Sequence, residues 1–344
     1  MRTAQTTIKD IADKLGISPS TVSRALKDHP DIGIETKKAV RELAIELNYR
    51  PNAMAISLRN SKSNIIGVVI PEIVHHFFSS VISGIEDVAY DAGYQVMVCQ
   101  SNESYLREVK NTQALLLTRI EGLLVSVSKE TRDFNHLKNL QNLNIPIVFF
   151  DRAINEMETD KVIVDDFEGA YKVVSHLISM GYKRIAHMGT EPELLIGRNR
   201  LNGYLKALKD HNLQIDDKLI VRCDNYQAAQ LMTKRLIYEL RPPDAIFAVN
   251  DITAVGALQT IKECKIKVPE EIGIAGFGNG IYSMFTDPAI TTVEQNGYKM
   301  GKIAMTMLLD RLIRHDNYPP ITEVLETSLV IRKSTQKPIK PQTI

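Results

Sequence analysis

A short stretch near the amino terminus carries side chains that could bind nucleic acid. They lie together at the exposed start of a predicted helix and are Pro19, Ser20, Thr21, Ser23 and Arg24. An arginine can donate two parallel hydrogen bonds to a guanine edge, and hydroxyl groups can bond phosphate or base. In a helix-turn-helix, this end of the second helix enters the major groove. The alternative is a small helical bundle with a solvent-exposed arginine.

Capping residues predict the helices that position this stretch. Thr7 precedes the first apolar helical face, and Gly16 suits the left-handed conformation that ends a helix. Ser18 can cap a second helix, with Pro19 at its first position, where no amide partner is needed. A third helix, roughly 35–47, closes a three-helix core. The pattern is helix, three-residue turn with glycine, helix.

A second set of polar side chains follows the predicted strands of the remaining chain. From residue 64 onward, short apolar runs alternate with helical patterns in two series, which predicts two doubly wound α/β lobes. Ligands of open parallel sheets bind at the carboxyl ends of strands, so two facing lobes would share one cleft. The expected strand-end loops are 71–78, 101–103, 151–152, 190–200, 250–251 and 278–282.

Length and charge distribution indicate a basic head on a mildly acidic body. The 344 residues are 44% hydrophobic and 24% charged, too long a chain for one ordinary core. Residues 1–62 contain eleven Lys or Arg and seven Asp or Glu, for a net charge of +4, and the remaining 31 basic and 34 acidic residues give −3. This asymmetry favours a nucleic-acid-binding head, although a solvated lysine-rich helix face would look similar.

Several classes of protein are disfavoured by the sequence. The three cysteines suit reduced thiols, and the first nine residues lack the apolar core of a signal peptide, so we expect a cytoplasmic protein with no membrane segment. There is no G-x-S-x-G elbow, and the glycines of 276–280 are not followed by the Lys-Ser/Thr of a phosphate loop. The adjacent His75 and His76 have no acidic partner at metal-ligand spacing. We therefore expect no enzyme activity, no cofactor and no metal.

The literal residues of the head resemble the headpiece of the lactose-repressor (LacI/GalR) family of transcriptional regulators. The matching stretches are Thr7–Ala12, Gly16–Ser18, Thr21–Arg24 and 48–58. The resemblance implies that Pro19, Ser20 and Arg24 read bases. It also implies that a group of polar side chains anchors phosphates, namely Thr7, Ser18, Thr21, Ser23, Tyr49 and Asn52.

Residues 52–58 could form one short helix after Pro51, although seven residues are too few to hold a helix alone in water. In the resembled family this segment folds on DNA, pairs with its dimer mate and wedges a leucine into the minor groove. That role carries over to Leu58, with Ala55 beside it. From sequence alone, Leu58 could equally be a linker residue that touches the body. Ile56 stands where relatives often carry Arg or Gln.

The resemblance extends to about residue 332. The matching stretches are Gly181–Ala186, Arg200–Tyr204, Asn250–Asp251, Gly276–Phe277 and Thr291–Gln295. It implies that Arg200 and Asp251 are polar anchors for a hydroxyl-rich effector, one as a donor fork and one as an acceptor. Weaker effector-site candidates are Phe78, Asn102, Asp151, Asn250 and Gln295. Alternatively, Asp251 could cap the next helix and Arg200 could lie in a surface ion pair.

Two departures from the family pattern lie at the expected cleft rim. Gly278-Asn279 stands where relatives often have Asp after Gly-Phe, and His75-His76 where Asn-Pro is frequent. The identity of the ligand is therefore not carried over from any relative. We prefer a sugar or sugar derivative as the effector, with a purine or nucleoside second and a protein co-regulator third. A solute-binding protein shares the two-lobe fold, but the predicted helix-turn-helix disfavours that class.

The expected fold class is α plus α/β. It comprises a helix-turn-helix headpiece (1–50), a hinge helix and linker (51–62), a two-lobed periplasmic-binding-protein-like domain (63–334) and a tail (335–344). The effector-binding and dimerisation domain would contain two doubly wound parallel sheets, with crossovers near 159–164, 288–294 and 320–326. One headpiece reads only a half-site, so the expected partner is a near-palindromic double-stranded operator bound by a homodimer.

Overall fold

The computed structural model describes residues 6–49, 63–191, 193–314 and 318–337. The chain forms two compact units, Met1–Ser63 and Asn64–Ile344. The expected hinge and linker of 51–62 lies outside the described residues, and so do Asn52, Ala55 and Leu58. No helix in the described ranges has both the length and the apolar character that crossing a bilayer requires.

The first unit contains the helices α1 (Ile8–Leu15), α2 (Pro19–Leu26) and α3 (Ile34–Glu46). Thr7 and Asp10 form a capping box at the start of α1, in which the Thr7 amide donates to Asp10 Oδ2 at 2.7 Å. Gly16 ends the helix with φ at +64°. Ser18 Oγ accepts from the Thr21 amide at 3.1 Å and caps α2. These local bonds fix the turn that the sequence predicts.

The headpiece core lies where the three helices meet, and its fully buried members are Ile11, Val22, Ala25 and Val40. Gly33 begins α3 without a side-chain cap, because it has no hydroxyl to offer. A capped first helix, a capped second helix and one shared apolar core are enough to hold the exposed side of α2 in place.

The second unit is built from alternating strands and helices. Its strands are β1 (Ile65–Ile70), β2 (Gln95–Gln100), β3 (Gly122–Val125), β4 (Ile147–Phe150), β5 (Asp160–Val164), β6 (Ile185–Gly189), β7 (Ile220–Arg222), β8 (Ala245–Ala248), β9 (Gly273–Ala275), β10 (Thr292–Glu294), β11 (Thr322–Leu325) and β12 (Ser328–Val330). Its helices are α4 (His76–Asp91), α5 (Tyr105–Leu117), α6 (Asn135–Asn142), α7 (Asp166–Ser179), α8 (Leu195–Asp210), α9 (Tyr226–Tyr238), α10 (Asp251–Glu263), α11 (Ile281–Phe285) and α12 (Gly297–Arg314).

Two parallel sheets form the two lobes. The first has the order β11-β5-β4-β3-β1-β2, and the second has the order β7-β6-β8-β9. In the first lobe, alternate strand residues pack against α4 and α12 on one face and against α5 and α6 on the other. In the second, α9 and α10 cover one face while α7 and α8 cover the other. Helices on both faces define a doubly wound architecture.

An antiparallel ribbon adds to the expected architecture. β10 pairs with β12, and Val293 lies opposite Leu329. The chain passes between the lobes at 164–166, 294–297 and 325–328, where β5, β10 and β11 end. Each crossing begins at the end of its predicted window, because the windows contain the strands β5, β10 and β11.

The predicted start of the tail at residue 335 is corrected by the structure. Ser334 and Thr335 are fully buried in a 3-10 helix. Ser334 Oγ donates to the Ile274 carbonyl at 2.6 Å, and the Thr335 hydroxyl bonds His176 Nε2 at 2.8 Å. The second lobe therefore includes this segment, whose polar composition had suggested a solvated end. Residues 338–344 lie outside the described ranges.

The two helices that cover the first sheet approach each other through glycines. A methyl group on Gly301 of α12 would overlap the Val81 carbonyl oxygen of α4, and one on Gly84 would overlap the Tyr298 carbonyl oxygen. Backbone carbonyls inside a helix cannot move aside as a flexible side chain can. The close approach of α4 and α12 thus depends on these two positions.

We expect Gly301→Ala to lower the free energy of unfolding of the body by about 1–3 kcal/mol, the usual cost of overpacking. Urea denaturation followed by circular dichroism measures it. The control is Ser83→Ala on the exposed side of α4, which should stay within about 0.5 kcal/mol. Equal stability of the two variants would contradict this packing.

Candidate functional site

The predicted base-reading side chains share the exposed side of α2. Pro19, Ser20 and Arg24 are exposed, while Thr21 is half-buried. Ser18 Oγ lies 2.7 Å from Ser20 Oγ and 2.8 Å from Thr21 Oγ1, so the hydroxyls form one cluster at the start of the helix. Among the described residues, no carboxylate forms an ion pair with Arg24. The hydroxyl cluster at the start of α2 and Arg24 in its last turn are therefore both available to a partner on the exposed side of this helix.

The other predicted headpiece positions are arranged around the same helices. Thr7 is exposed, and its hydroxyl donates to Asp10 Oδ2 at 2.8 Å. Ser23 is half-buried on α2. Tyr49 is half-buried against the headpiece core, and its amide donates to the Ala44 carbonyl at 2.8 Å.

A cavity of about 560 Å³ lies between the lobes of the second unit. The carboxyl ends of strands from both sheets open into it, as expected for facing parallel sheets. Of the predicted effector-site residues, those that line it are Phe78, Asp151, Arg200, Asn250, Asp251 and Gln295. The expected strand-end loops also contribute Glu72, Glu103, Arg152, Thr190 and Tyr282 to the lining, whereas the lining residues Lys129, Asp224 and Phe277 lie outside those loops.

Asp251 is held at the start of α10 by the second lobe. Its carboxylate accepts from the Gly280 amide and from the Thr292 hydroxyl, each at 2.5 Å. Asn250, not Asp251, caps the helix, because Asn250 Oδ1 accepts from the Thr253 amide at 2.9 Å. Burial raises the pKa of Asp251 to about 6. A carboxylate has about four acceptor positions, so Asp251 retains two for a ligand.

Arg200 is buried in an ion pair, which rules out the surface ion pair considered above. Its Nε and Nη2 each lie 2.7 Å from Asp166 Oδ1, and Nη1 donates to the Val249 carbonyl at 2.5 Å. The guanidinium stacks on Phe277, 3.8 Å from the ring centroid. These contacts use three of the five N–H donors of the guanidinium and leave two for a ligand. Pairing and stacking together fix the orientation of the fork.

Asp151 lies at the end of β4 in the first lobe, with φ at +59°. Ser126 Oγ and Arg152 Nε approach its Oδ2 at 3.5 and 4.0 Å. Burial raises the pKa of Asp151 to about 6. Asp151 and Asp251 are therefore weakly acidic carboxyl groups presented by opposite lobes to one cavity.

The prediction for Asn102 is corrected by one residue. Asn102 is exposed, accepts from Gln100 Nε2 at 3.2 Å and is not among the residues that line the cavity. Two successive left-handed residues, Asn102 at +52° and Glu103 at +58°, reverse the chain and bring Glu103 to the cavity. Glu103 lies within the expected strand-end loop 101–103, but the sequence does not mark its pairing with Arg152 at the end of β4.

The cavity wall also contains the two positions that depart from the family pattern. Gly278 has φ at +125°, where a side chain would be strained. The place of its missing Cβ lies 3.5 Å from Gln295 Oε1 and 3.7 Å from Asp251 Oδ2, so the glycine leaves room beside both acceptors. His75 bonds Glu72 Oε2 at 2.8 Å and packs edge-on near Phe78.

The charges that line the cavity are largely paired. Lys129 lies 3.5 Å from Asp224, and Arg152 Nη1 donates to Glu103 at 2.7 Å. Although burial opposes it, the Arg152 guanidinium holds the pKa of Glu103 below its ordinary value. In the described ranges, Asp251 has no ion-pair partner. The unpaired groups facing a ligand are thus acceptors more than cations, which suits a ligand with several hydroxyl donors.

Comparisons with known proteins agree with both units. Residues 7–52 match the model of bacterial regulatory proteins of the lacI family, and residues 174–335 match the periplasmic binding protein-like domain. The chain is similar to the HTH-type transcriptional repressor CytR of Escherichia coli (strain K12), at 32% identity over 96% of each chain. It is also similar to the repressor PurR of Actinobacillus pleuropneumoniae serotype 3 (strain JL03), at 30% identity over 96% of this chain and 98% of the relative.

A solved structure extends this similarity to the fold. The lac repressor dimer bound to operator and the anti-inducer ONPF matches with a TM-score of 0.82 at 25% identity, over 96% of this chain and 99% of the lac repressor. The curated relatives are transcriptional repressors and not enzymes. The chain belongs to the lacI family of bacterial regulatory proteins and is a DNA-binding transcriptional repressor.

Proposed function

We propose that the chain binds a near-palindromic operator as a homodimer and that a small effector between its lobes controls operator affinity. The observation that carries this proposal is the cavity in which the two lobes present Asp151 on one side and Arg200 and Asp251 on the other. A ligand that bonds both sides stabilises one arrangement of the lobes. Control then requires only that the effector has different affinities for the two arrangements.

The proposed operator contacts divide by chemistry. Pro19, Ser20 and Arg24 read base edges, and Arg24 is the side chain able to form a bidentate pair with guanine. Leu58, with Ala55 beside it, would kink the duplex from the minor groove. The phosphate anchors that we propose are Thr7, Ser18, Thr21, Ser23, Tyr49 and Asn52. The exposed hydroxyl cluster at the start of α2 supports this division.

We expect Arg24→Ala to weaken binding of a selected operator by about 1–3 kcal/mol, because a bidentate base contact is lost. Gel-shift titration at one fixed salt concentration measures the loss. The matched control is Arg41→Ala, an exposed arginine on α3 that pairs with Asp28 at 3.0 Å. Discrimination at one base pair should relax only in Arg24→Ala. An equal loss for both variants on all duplexes would exclude base reading by Arg24.

The effector that we propose is a sugar or a sugar derivative. Arg200 retains two donors, Asp251 retains two acceptor positions, and Gln295 adds an amide that is 5% exposed. One face of Phe277 is covered by Arg200, and Phe78 is only 4% exposed. These rings do not provide the aromatic sandwich that a nucleobase needs. Tyr282, which lines the cavity and is 53% exposed, is the observation that keeps a nucleoside as the second candidate.

A thermal-shift screen of the full chain with sugars, sugar phosphates, nucleosides and nucleobases tests this choice. A ligand at a hundredfold excess over its Kd should stabilise the body by about 2.7 kcal/mol. Asp251→Asn should weaken the ligand at least tenfold, whereas Glu263→Gln, at the exposed end of the same helix, should not. A nucleobase hit would replace the sugar proposal, and a screen without hits would favour a protein co-regulator.

The effector should bind more weakly in acid. Since the pKa of Asp251 is about 6 in the folded chain against an ordinary 3.8, the carboxyl group becomes protonated as the pH falls through 6. As the pH falls from 6 to 4, protonation of Asp251 raises the free energy of unfolding of the free protein, because the folded chain binds this proton more tightly than the unfolded chain does. The ligand loses an ionised acceptor over the same range. We expect affinity to fall by up to about tenfold per pH unit below 6 and to be level above about 7. Isothermal titration measures it, and an unchanged Kd between pH 7.5 and pH 5 would contradict this role of Asp251.

A further inference from the structure

Lys129 and Asp224 form an ion pair across the cavity. Lys129 follows β3 in the first lobe, Asp224 follows β7 in the second, and Nζ lies 3.5 Å from Oδ2. Of the ion pairs within 6–49, 63–191, 193–314 and 318–337, it is the one that joins the lobes. Both side chains are only partly exposed, at 34% and 24%. The pair therefore links the two lobes across the cavity.

Two carboxylates of the first lobe fix the backbone that presents the lysine. Glu103 Oε2 accepts from the Lys129 amide at 2.8 Å and from Arg152 Nη1 at 2.7 Å. Glu108, which is fully buried, accepts from the Ser128 amide at 2.6 Å. The loop is thus held at two consecutive peptide groups, through the Ser128 and Lys129 amides, so the backbone that carries the Lys129 side chain is fixed.

In the second lobe, hydrogen bonds also fix the position of Asp224. Thr190 Oγ1 donates to Asp224 Oδ2 at 2.8 Å, and Asn250 Nδ2 donates to the Asp224 carbonyl at 2.9 Å. Asn250 is also the cap of α10, the helix that begins with Asp251. A continuous series of polar contacts therefore runs from Glu103 through Lys129 and Asp224 to the start of α10.

We propose that Lys129 and Asp224 form a latch that favours the arrangement of the lobes in this structure, which we call closed, with Glu103 as a positioning residue that acts through Lys129. A partly exposed ion pair contributes modestly and is screened by salt. A modest contribution is what a switch needs, because a small effector must be able to overcome or reinforce it. The latch is a property of the free body and goes beyond the identity of the effector.

Spin labels on the exposed Lys138 of α6 and Lys209 of α8, attached through cysteine substitutions, report the distance between lobes in the full chain without ligand or DNA. The labelled background replaces the native Cys99, Cys223 and Cys264. We expect Lys129→Ala and Asp224→Asn each to lower the ratio of short to long distances about twofold to fivefold. Glu103→Gln should lower it in the same direction, and Lys129→Arg should keep it. The control Lys110→Ala, an exposed lysine of the same lobe, should not change it.

Two further comparisons separate the latch from local damage. The charge-swapped pair Lys129→Asp with Asp224→Lys should restore the short distances. At about 1 M salt the Debye length is about 3 Å. Raising the salt to this concentration should lower the ratio of short to long distances in the unsubstituted protein to that of the variants, and should leave the ratio of the variants unchanged. Identical distributions for the latch and both single variants would overturn the proposal, as would a swapped pair that stays open. Because no DNA or effector is present, either result is independent of the proposed function.

If the cysteine replacements prevent folding, hydrogen exchange of the chain with its native cysteines provides the same test. Amides of 128–131 and 224–225 should exchange faster in Lys129→Ala and in Asp224→Asn than in Lys110→Ala. Unchanged exchange in both variants would overturn the latch.

Discussion

Charge that is buried at the facing carboxyl ends of two parallel sheets is the constraint on which the body of this repressor depends. A buried charge is costly unless it is paired and hydrogen-bonded. The second lobe meets this requirement with the Arg200–Asp166 pair stacked on Phe277, and the first with the Arg152–Glu103 pair. These contacts lower the cost of burying the charged side chains and also fix their orientations, so the cavity is ordered before a ligand binds. Asp151 and Asp251 also face the cavity, and burial, the largest cause, raises the pKa of each to about 6.

The headpiece was predicted from sequence more completely than the cavity was. Its helix ends are fixed by residues that are close in sequence. Thr7 caps with Asp10, Gly16 ends α1, and Ser18 caps α2 at the Thr21 amide, so the capping pattern can be recognised from the sequence. The strands of the body were also legible, because buried parallel strands are continuous apolar runs. Each chain crossing begins only at the end of its predicted window, since a short strand such as β10 looks like a connector in the sequence.

The sequence predicted where the cavity lies but not which of its side chains pair with each other. The rule that ligands bind at strand ends predicted the loop 101–103 correctly. It did not predict which residue of the loop lines the cavity, because that depends on two left-handed residues that bring Glu103 inward. Lys129 and Asp224 are 95 residues apart, and no local pattern marks them as partners. Thr335 was assigned to a tail because its neighbours are polar, whereas its hydroxyl is satisfied by His176 and by Thr291 at 2.7 Å. Hydrogen bonds and ion pairs between residues that are far apart in the chain cannot be predicted from the sequence alone.

Occupation of the cavity is proposed to change the affinity of the headpiece for its operator. The most direct test is a gel-shift titration of the full chain on a selected operator, with and without a ligand that binds the body, at one salt concentration. We expect a change of about 5- to 150-fold in operator affinity, the usual range of coupling between two sites. A ligand that binds the body at saturation and leaves operator affinity unchanged would contradict it.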